Sequence, residues 1–282
     1  MANERWKRQK VRTDLALEVR ESFPGDGGEI AGVEVTEWNA AEARVRITEV
    51  VIRNQEGAEA MGKPVGTYLT LEAPELAEKD EDFHREVVGE LAEQIRKLMK
   101  KHHVVNTPSV LVVGLGNRDA TPDSLGPRVM ENLQVTRHLS LEYGKEFCER
   151  NGYPVLSGLA PGVMAQTGME TEEIINGVVR ETRPDMVIVV DALAARSARR
   201  LGVTIQLSDT GIHPGSGVGN HRKKLNEETL HVPVLALGVP TVIEQILEPE
   251  YGPMYVTPHD IDERVKTLSY TISEGIHEAL FA

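Results

Sequence analysis

Two aspartates that follow apolar runs are the residues whose type and place could do chemistry. Asp191 comes directly after Met186-Val187-Ile188-Val189-Val190, and small residues follow it to Ala195. Asp123 follows Thr121-Pro122, beyond a first apolar run from Ser109 to Gly114. In an open α/β sheet the loops beyond the carboxyl ends of such strands are where ligands bind. Two carboxylates brought together there cannot both ionise cheaply, so one keeps a proton and acts as an acid while the other activates water. Such a pair titrates as a unit, which leaves the acid and the base unassigned. Each residue also has a plainer duty: Asp123 suits the first turn of a helix, and Asp191 suits an ion pair with Arg196 or a helix cap.

A third candidate group lies in Ser208 to Asn220, where Gly211, Gly215, Gly217 and Gly219 surround His213. Such a loop lets backbone amides approach a developing oxyanion or an extended peptide. With Asp123 and Asp191, His213 would complete a carboxylate-rich site for zinc or a similar ion. Otherwise it is an ordinary loop histidine. The segment Leu237 to Val242 is expected to form a wall of the same cleft. Gly114-Leu115-Gly116 suggests a dinucleotide fingerprint, but Asp119 stands where the third glycine belongs and would repel pyrophosphate. Cys148 is the single cysteine, so no internal disulfide forms, and it reads as a small buried hydrophobe.

The elements that must position these groups are legible as periodicity. Short apolar runs at 109–114, 186–190, 203–207 and 232–237 predict strands covered on both faces. Helical patterns separate or follow them at about 124–134, 171–182, 192–200 and 259–280. Alternation of two at 32–37, 43–52 and 67–71 predicts half-exposed antiparallel strands, and the apolar set Phe83, Val87, Leu91, Ile95 and Leu98 marks one face of a helix over about 80–102. The reading is an α/β protein, phosphorylase- or hydrolase-like: a doubly wound, mostly parallel sheet over 105–282 with a small antiparallel β appendage over 30–75.

With 31 Lys and Arg against 44 Asp and Glu, the net charge of −13 disfavours a surface made to grip nucleic-acid phosphates. No apolar stretch reaches the roughly 18–20 residues that span a bilayer, and no signal peptide opens the chain, so a cytoplasmic location is expected. Charge is uneven. Five basic residues against Glu4 and Asp14 leave the first fourteen positions at +3 and the remainder at −16, so a basic strip could lie on an acidic body.

Five ordered motifs go further: VVGLGN at 112–117, TPDSLGP at 121–127, LAPGVMAQTGMET at 159–171, VVDALAARS at 189–197 and SDTGIHPGSGVGNHRK at 208–223. In these the chain closely resembles the germination protease, or spore protease, family of endospore-forming bacteria. The resemblance runs from Arg12-Thr13-Asp14-Leu15-Ala16 to the last helix, and lacks a long insertion expected after about Val242. It implies an endopeptidase that starts degradation of small acid-soluble spore proteins in the spore core, with Asp123 and Asp191 as the essential aspartates. It also implies a zymogen that removes residues 1–14 by cutting between Asp14 and Leu15, at an acidic residue followed by an apolar one and Ala, and a homotetramer. Arg196, Arg222 and Lys223 are candidates to receive the acidic side chain. The family's core is similar to that of hydrogenase-maturation proteases, which use a metal, so a metal-dependent reaction on the same residues stays open, as does a non-catalytic binding protein of the spore core.

Overall fold

Alternating side chains along each central strand feed two different cores, which is why the runs read as continuously apolar. The computed structural model describes residues 12–23, 30–42, 44–78, 80–104, 108–215, 223–245, 252 and 254–281. Its strands are β1 (Val33–Ala40), β2 (Val45–Ile52), β3 (Gly66–Glu72), β4 (Ser109–Gly114), β5 (Val155–Leu159), β6 (Met186–Ala195), β7 (Thr204–Ser208), β8 (Val234–Gln245) and β9 (Met254–Val256). The helices are α1 (Ala16–Glu21), α2 (Gln55–Met61), α3 (Glu81–Lys101), α4 (Leu125–Asn132), α5 (Arg137–Tyr143), α6 (Lys145–Asn151), α7 (Met164–Thr167), α8 (Thr171–Thr182), α9 (Glu227–Leu230) and α10 (Ile261–Leu280).

All nine strands form one sheet in the order β1-β2-β3-β7-β8-β6-β4-β5, with β9 on β8. The fold is α/β, as its periodicity predicts, and β5, β4, β6 and β8 run parallel. The strands expected as an appendage continue this sheet, because β3 pairs antiparallel with β7 and β7 antiparallel with β8. On one face Val110, Val112, Ile188 and Val190 pack with α3, α4 and α10 in the larger core. On the other, Leu111, Val113, Val187 and Val189 pack with Ile175 and Val179 of α8 and with Leu230 of α9. A further group, Leu193, Ala195, Leu201 and Ile243, closes around Leu15.

The helix predicted over 192–200 does not form. Asp191 through Ala195 continue β6 in register with Gly238 through Ile243 of β8, with a bulge between Leu193 and Ala194. Cross-strand pairing overrides the helix-favouring Ala, Leu and Arg content there, and only the single turn Ala198–Arg200 is 3₁₀-helical. Cys148 is buried and unbonded to any other cysteine, as expected. Among the described residues no helix is long and apolar enough to cross a membrane.

Candidate active site

The ends of β4 and β6 bring the two aspartates to one place. Gly114 is in register with Val190, the residue before Asp191, and the Leu115 amide donates to the Val190 carbonyl (2.8 Å). Beyond that bond the chain turns through Gly116, at φ +112°, where a Cβ would lie 2.0 Å from the Asp123 carbonyl oxygen. Only glycine allows this approach. It sets the 3₁₀ turn Thr121–Asp123 against β6 and β8. Ser124, not Asp123, holds the N-cap position of α4. Asp123 Oδ2 accepts from the Asn117 amide (2.7 Å), and the Asn117 side chain is itself met by Gln166 of α7 (3.3 Å). Three of the sequence motifs therefore converge on one carboxylate.

Asp191 is 6% exposed, and its Oδ1 accepts from the Ala192 amide (2.9 Å). By strand alternation it shares a face with Val187 and Val189, at the point where the cover of α8 and α9 stops. Across the sheet Asp191 pairs with Gly238, and Gly238 pairs with Gln206 of β7. The three form one row, so the side chains of Asp191 and Gln206 rise on the same face from backbones about 10 Å apart. Gly238 has no side chain between them. A Cβ there would meet the Leu193 side chain at 2.6 Å, so the glycine gives Leu193 room to lie across the row toward Leu15.

A cleft of about 1260 Å³ opens over this row, lined by Asp123, Asp191, Gln206, Gly238, His213 and Gly215 among others. Leu237, Thr241 and Val242 form part of its wall, as the sequence predicts. His213 is exposed, at the isolated bridge that joins Ile212 to Leu225. Gly217 and Arg222 lie outside the described residues. Among the described residues no three His, Cys, Asp or Glu side chains are gathered as a group that could hold a metal ion, and Asp123, Asp191 and His213 share the cleft without forming one.

The chain's own residues 12–14 form part of the lining of the cleft. The Asp14 amide donates to the Ala194 carbonyl (2.9 Å), and Asp14 Oδ2 accepts from the Ala194 amide (2.9 Å). The Asp14 carbonyl accepts from Lys63 Nζ (2.8 Å) and Gln206 Nε2 (3.2 Å). Leu15 is extended (φ −78°, ψ 123°) and fully buried, and Ala16 is fully buried among Val50, Ile52, Met61 and Tyr68. The residues offered as partners for the acidic side chain are engaged elsewhere: Arg196 Nη2 donates to the Glu18 carbonyl (2.9 Å), and Lys223 bonds Glu172 (3.1 Å). Glu18 is the residue that sequence reasoning missed on this side. Its carboxylate, fully buried, accepts from the Arg196 and Ser197 amides (2.6 and 2.9 Å) and meets Arg200 Nη1 at 3.1 Å.

Comparison with known proteins decides what this cleft belongs to. A family model described as germination protease matches residues 12–247. The chain belongs to the germination protease family. A germination protease of Caldanaerobacter subterraneus subsp. tengcongensis is 42% identical over 96% of this chain and 94% of its own length. One from Clostridium tetani is 38% identical over 96% and 95%, and one from Bacillus subtilis is 46% identical over 84% of this chain and 64% of its own. The Caldanaerobacter alignment spans 320 residues against the 282 here, so that germination protease carries extra residues within the matched region. Membership makes this chain a protease of spore germination.

Proposed function

We propose that the chain is a self-processing endopeptidase of atypical aspartic type, in which Asp123 and Asp191 activate water. In this reading residues 1–14 are a propeptide released by cleavage between Asp14 and Leu15, and the full-length chain is the zymogen. The substrates are small acid-soluble spore proteins, cut after an acidic residue that precedes an apolar residue and Ala, in the forespore and spore core. The enzyme works as a homotetramer without gripping nucleic acid, in keeping with its charge of −13.

The observation that carries the reading is the seat of Asp14-Leu15-Ala16. Its Asp14 lines the cleft of the two aspartates and has its carbonyl bonded to Gln206 in the row that holds Asp191, while Leu15 and Ala16 are buried beside it. The chemistry follows from the groups present. One carboxylate takes a proton from water as the water oxygen bonds to the Asp14 carbonyl carbon; the carbonyl π pair moves to oxygen. Collapse breaks the carbon–nitrogen bond, and the Leu15 nitrogen leaves with a proton from the other carboxyl. No step requires a metal. Specificity has a matching physical basis: the Ala194 amide receives the acidic side chain, the Leu193–Ile243 pocket takes the apolar one, and the pocket beside Tyr68 closes down to Ala. In the full chain Leu15 and Ala16 themselves fill these pockets.

The test is intact mass and N-terminal sequencing after mildly acidic incubation with excess chelator, on wild type, Asp123→Asn and Asp191→Asn. Wild type alone should gain an N-terminus at Leu15, with either substitution slowing its appearance by about 10³-fold or more. Cleavage abolished by chelator and restored by a divalent ion would instead assign a metal-dependent maturation-type mechanism. Unchanged processing in both variants would remove the aspartates from the chemistry.

A further inference from the structure

The carbonyl of Asp14 is gripped by two side chains that no sequence motif contains. Lys63 Nζ and Gln206 Nε2 both donate to this oxygen, and both line the cleft that holds Asp123 and Asp191. The geometry points to Lys63 and Gln206 as the donors that stabilise the oxyanion formed on the scissile carbonyl. The assignment rests on the self-cleavage reading above and adds the electrophilic half of the reaction to it.

Both donors are fixed before the reaction, which is what such a role demands. Lys63 leaves the body at a rigid corner: α2 ends at Gly62, the Lys63 amide donates back to the Ala58 carbonyl (3.2 Å), and the Tyr68 hydroxyl donates to the next carbonyl, that of Pro64 (2.9 Å). The backbone from which the four-carbon Lys63 side chain reaches the carbonyl is therefore anchored. Gln206 is a polar residue between Ile205 and Leu207, which are buried in the larger core. Its amide spans the cleavage site: Nε2 donates to the Asp14 carbonyl while Oε1 accepts from the Ala16 amide (2.7 Å). The carbonyl and the residue two positions on are thus held by one planar group, with the Leu15 peptide between them.

Lys63 also carries the charge that the reaction needs. As water adds, negative charge grows on the Asp14 oxygen, and a charge-assisted donor at 2.8 Å strengthens as it does. The ground-state carbonyl is neutral, so this interaction favours the transition state over the bound substrate. Desolvation pushes the Lys63 pKa below the ordinary lysine value, opposed by the Asp14 carboxylate.

The test follows the first-order appearance of the Leu15 N-terminus in the full chain. Lys63→Ala should slow it about 10²–10³-fold, the loss seen when one oxyanion donor is removed elsewhere. Propylammonium should restore at least tenfold of that loss by supplying N–H donors through the open cleft, whereas tetramethylammonium, with the charge but no N–H, should not. Gln206→Glu keeps the acceptor for the Ala16 amide and replaces the donor with a repelling carboxylate, so it should also slow cleavage while the melting temperature stays near wild type. A Lys63→Ala rate within threefold of wild type, or a loss that propylammonium leaves untouched, overturns the assignment. If wild type itself yields no N-terminus at Leu15, the self-cleavage reading has failed and the donors fall with it; cleavage of wild type and Lys63→Ala at equal rates removes the donors alone.

Discussion

Residues 12–14 and 15–23 form one stretch docked on the body, yet different forces hold its two halves. Before the Asp14–Leu15 bond the chain is held through hydrogen bonds, those of Asp14 to the Ala194 backbone, Lys63 and Gln206 and that of the Thr13 hydroxyl to the Glu18 carboxylate, beside an open cleft. After the bond, Leu15 and Ala16 are fully buried and Glu18 is fully buried beside Arg200, which is 1% exposed. Arg200 meets Glu18 (3.1 Å), Glu21 (2.6 Å) and Glu72 (3.0 Å) at once. Burial works against its charge, but the hydrogen bonds and charges of Glu21 and Glu72 outweigh that and hold its pKa above the usual arginine value. One half is held as a ligand is held; the other is core.

The contrast is broken most forcefully at Arg200. Arg200→Leu strands the buried Glu18 without its cation, while Glu72 keeps Arg46, and should cost about 3–5 kcal/mol in urea unfolding, with amide exchange at Arg196 and Ser197 accelerating as the second half lifts. Leu15→Ala empties the pocket of Leu193, Leu201 and Ile243 and should cost about 2–5 kcal/mol, depending on how far the pocket collapses. Asp14→Ala removes the acceptor of the Ala194 amide and the carboxylate charge near Lys63, and should cost about 1 kcal/mol by the same measurement. If Asp14→Ala proved as damaging as Leu15→Ala, the division between the halves would be wrong. The smallest effect is one of pH. Burial acts to raise the Glu21 pKa, yet the hydrogen bond and charge of Arg200 prevail and hold it below the usual carboxylate value. Its share of stability is complete above the ordinary carboxylate pKa and is lost as pH falls through the lowered one. Because Glu21 is 35% exposed the change is modest, and the acid limb of wild type should lose this component in Arg200→Leu.

Periodicity made much of this architecture legible. The run at 109–114 is β4, the pattern at 171–182 is α8, and the apolar face read over 80–102 is the buried face of α3. The aspartates were legible because strand ends in such sheets are ligand positions, and β4 and β6 do bring Asp123 and Asp191 to a common cleft. Partners set by long-range contact were not. Lys63 lies in a turn with no motif and meets Asp14 across 49 positions; Arg200 meets Glu21 across 179. One signal was present: Gln206 is a polar residue in a run otherwise suited to burial on both faces. The extension of β6 to Ala195 was invisible for a related reason, since its residues favour a helix locally and only β8 makes them a strand. Arg196 follows from the same extension, which turns its guanidinium to the Glu18 carbonyl.

The pairing of β3 with β7 has a consequence for the order in which the molecule can be built. Strands β1 to β3 are synthesised within the first 72 residues, but their place in the sheet exists only after residues 204–208 have been made. Asp14 waits longer than any strand, because its carbonyl is met by Gln206 across 192 positions and its side chain by Ala194 across 180. Such distant closures form late in folding. The ribosome therefore delivers the Asp14–Leu15 bond first and the seat that receives it last, so this stretch reaches its place only on a body in which β6 and β7 have already been made.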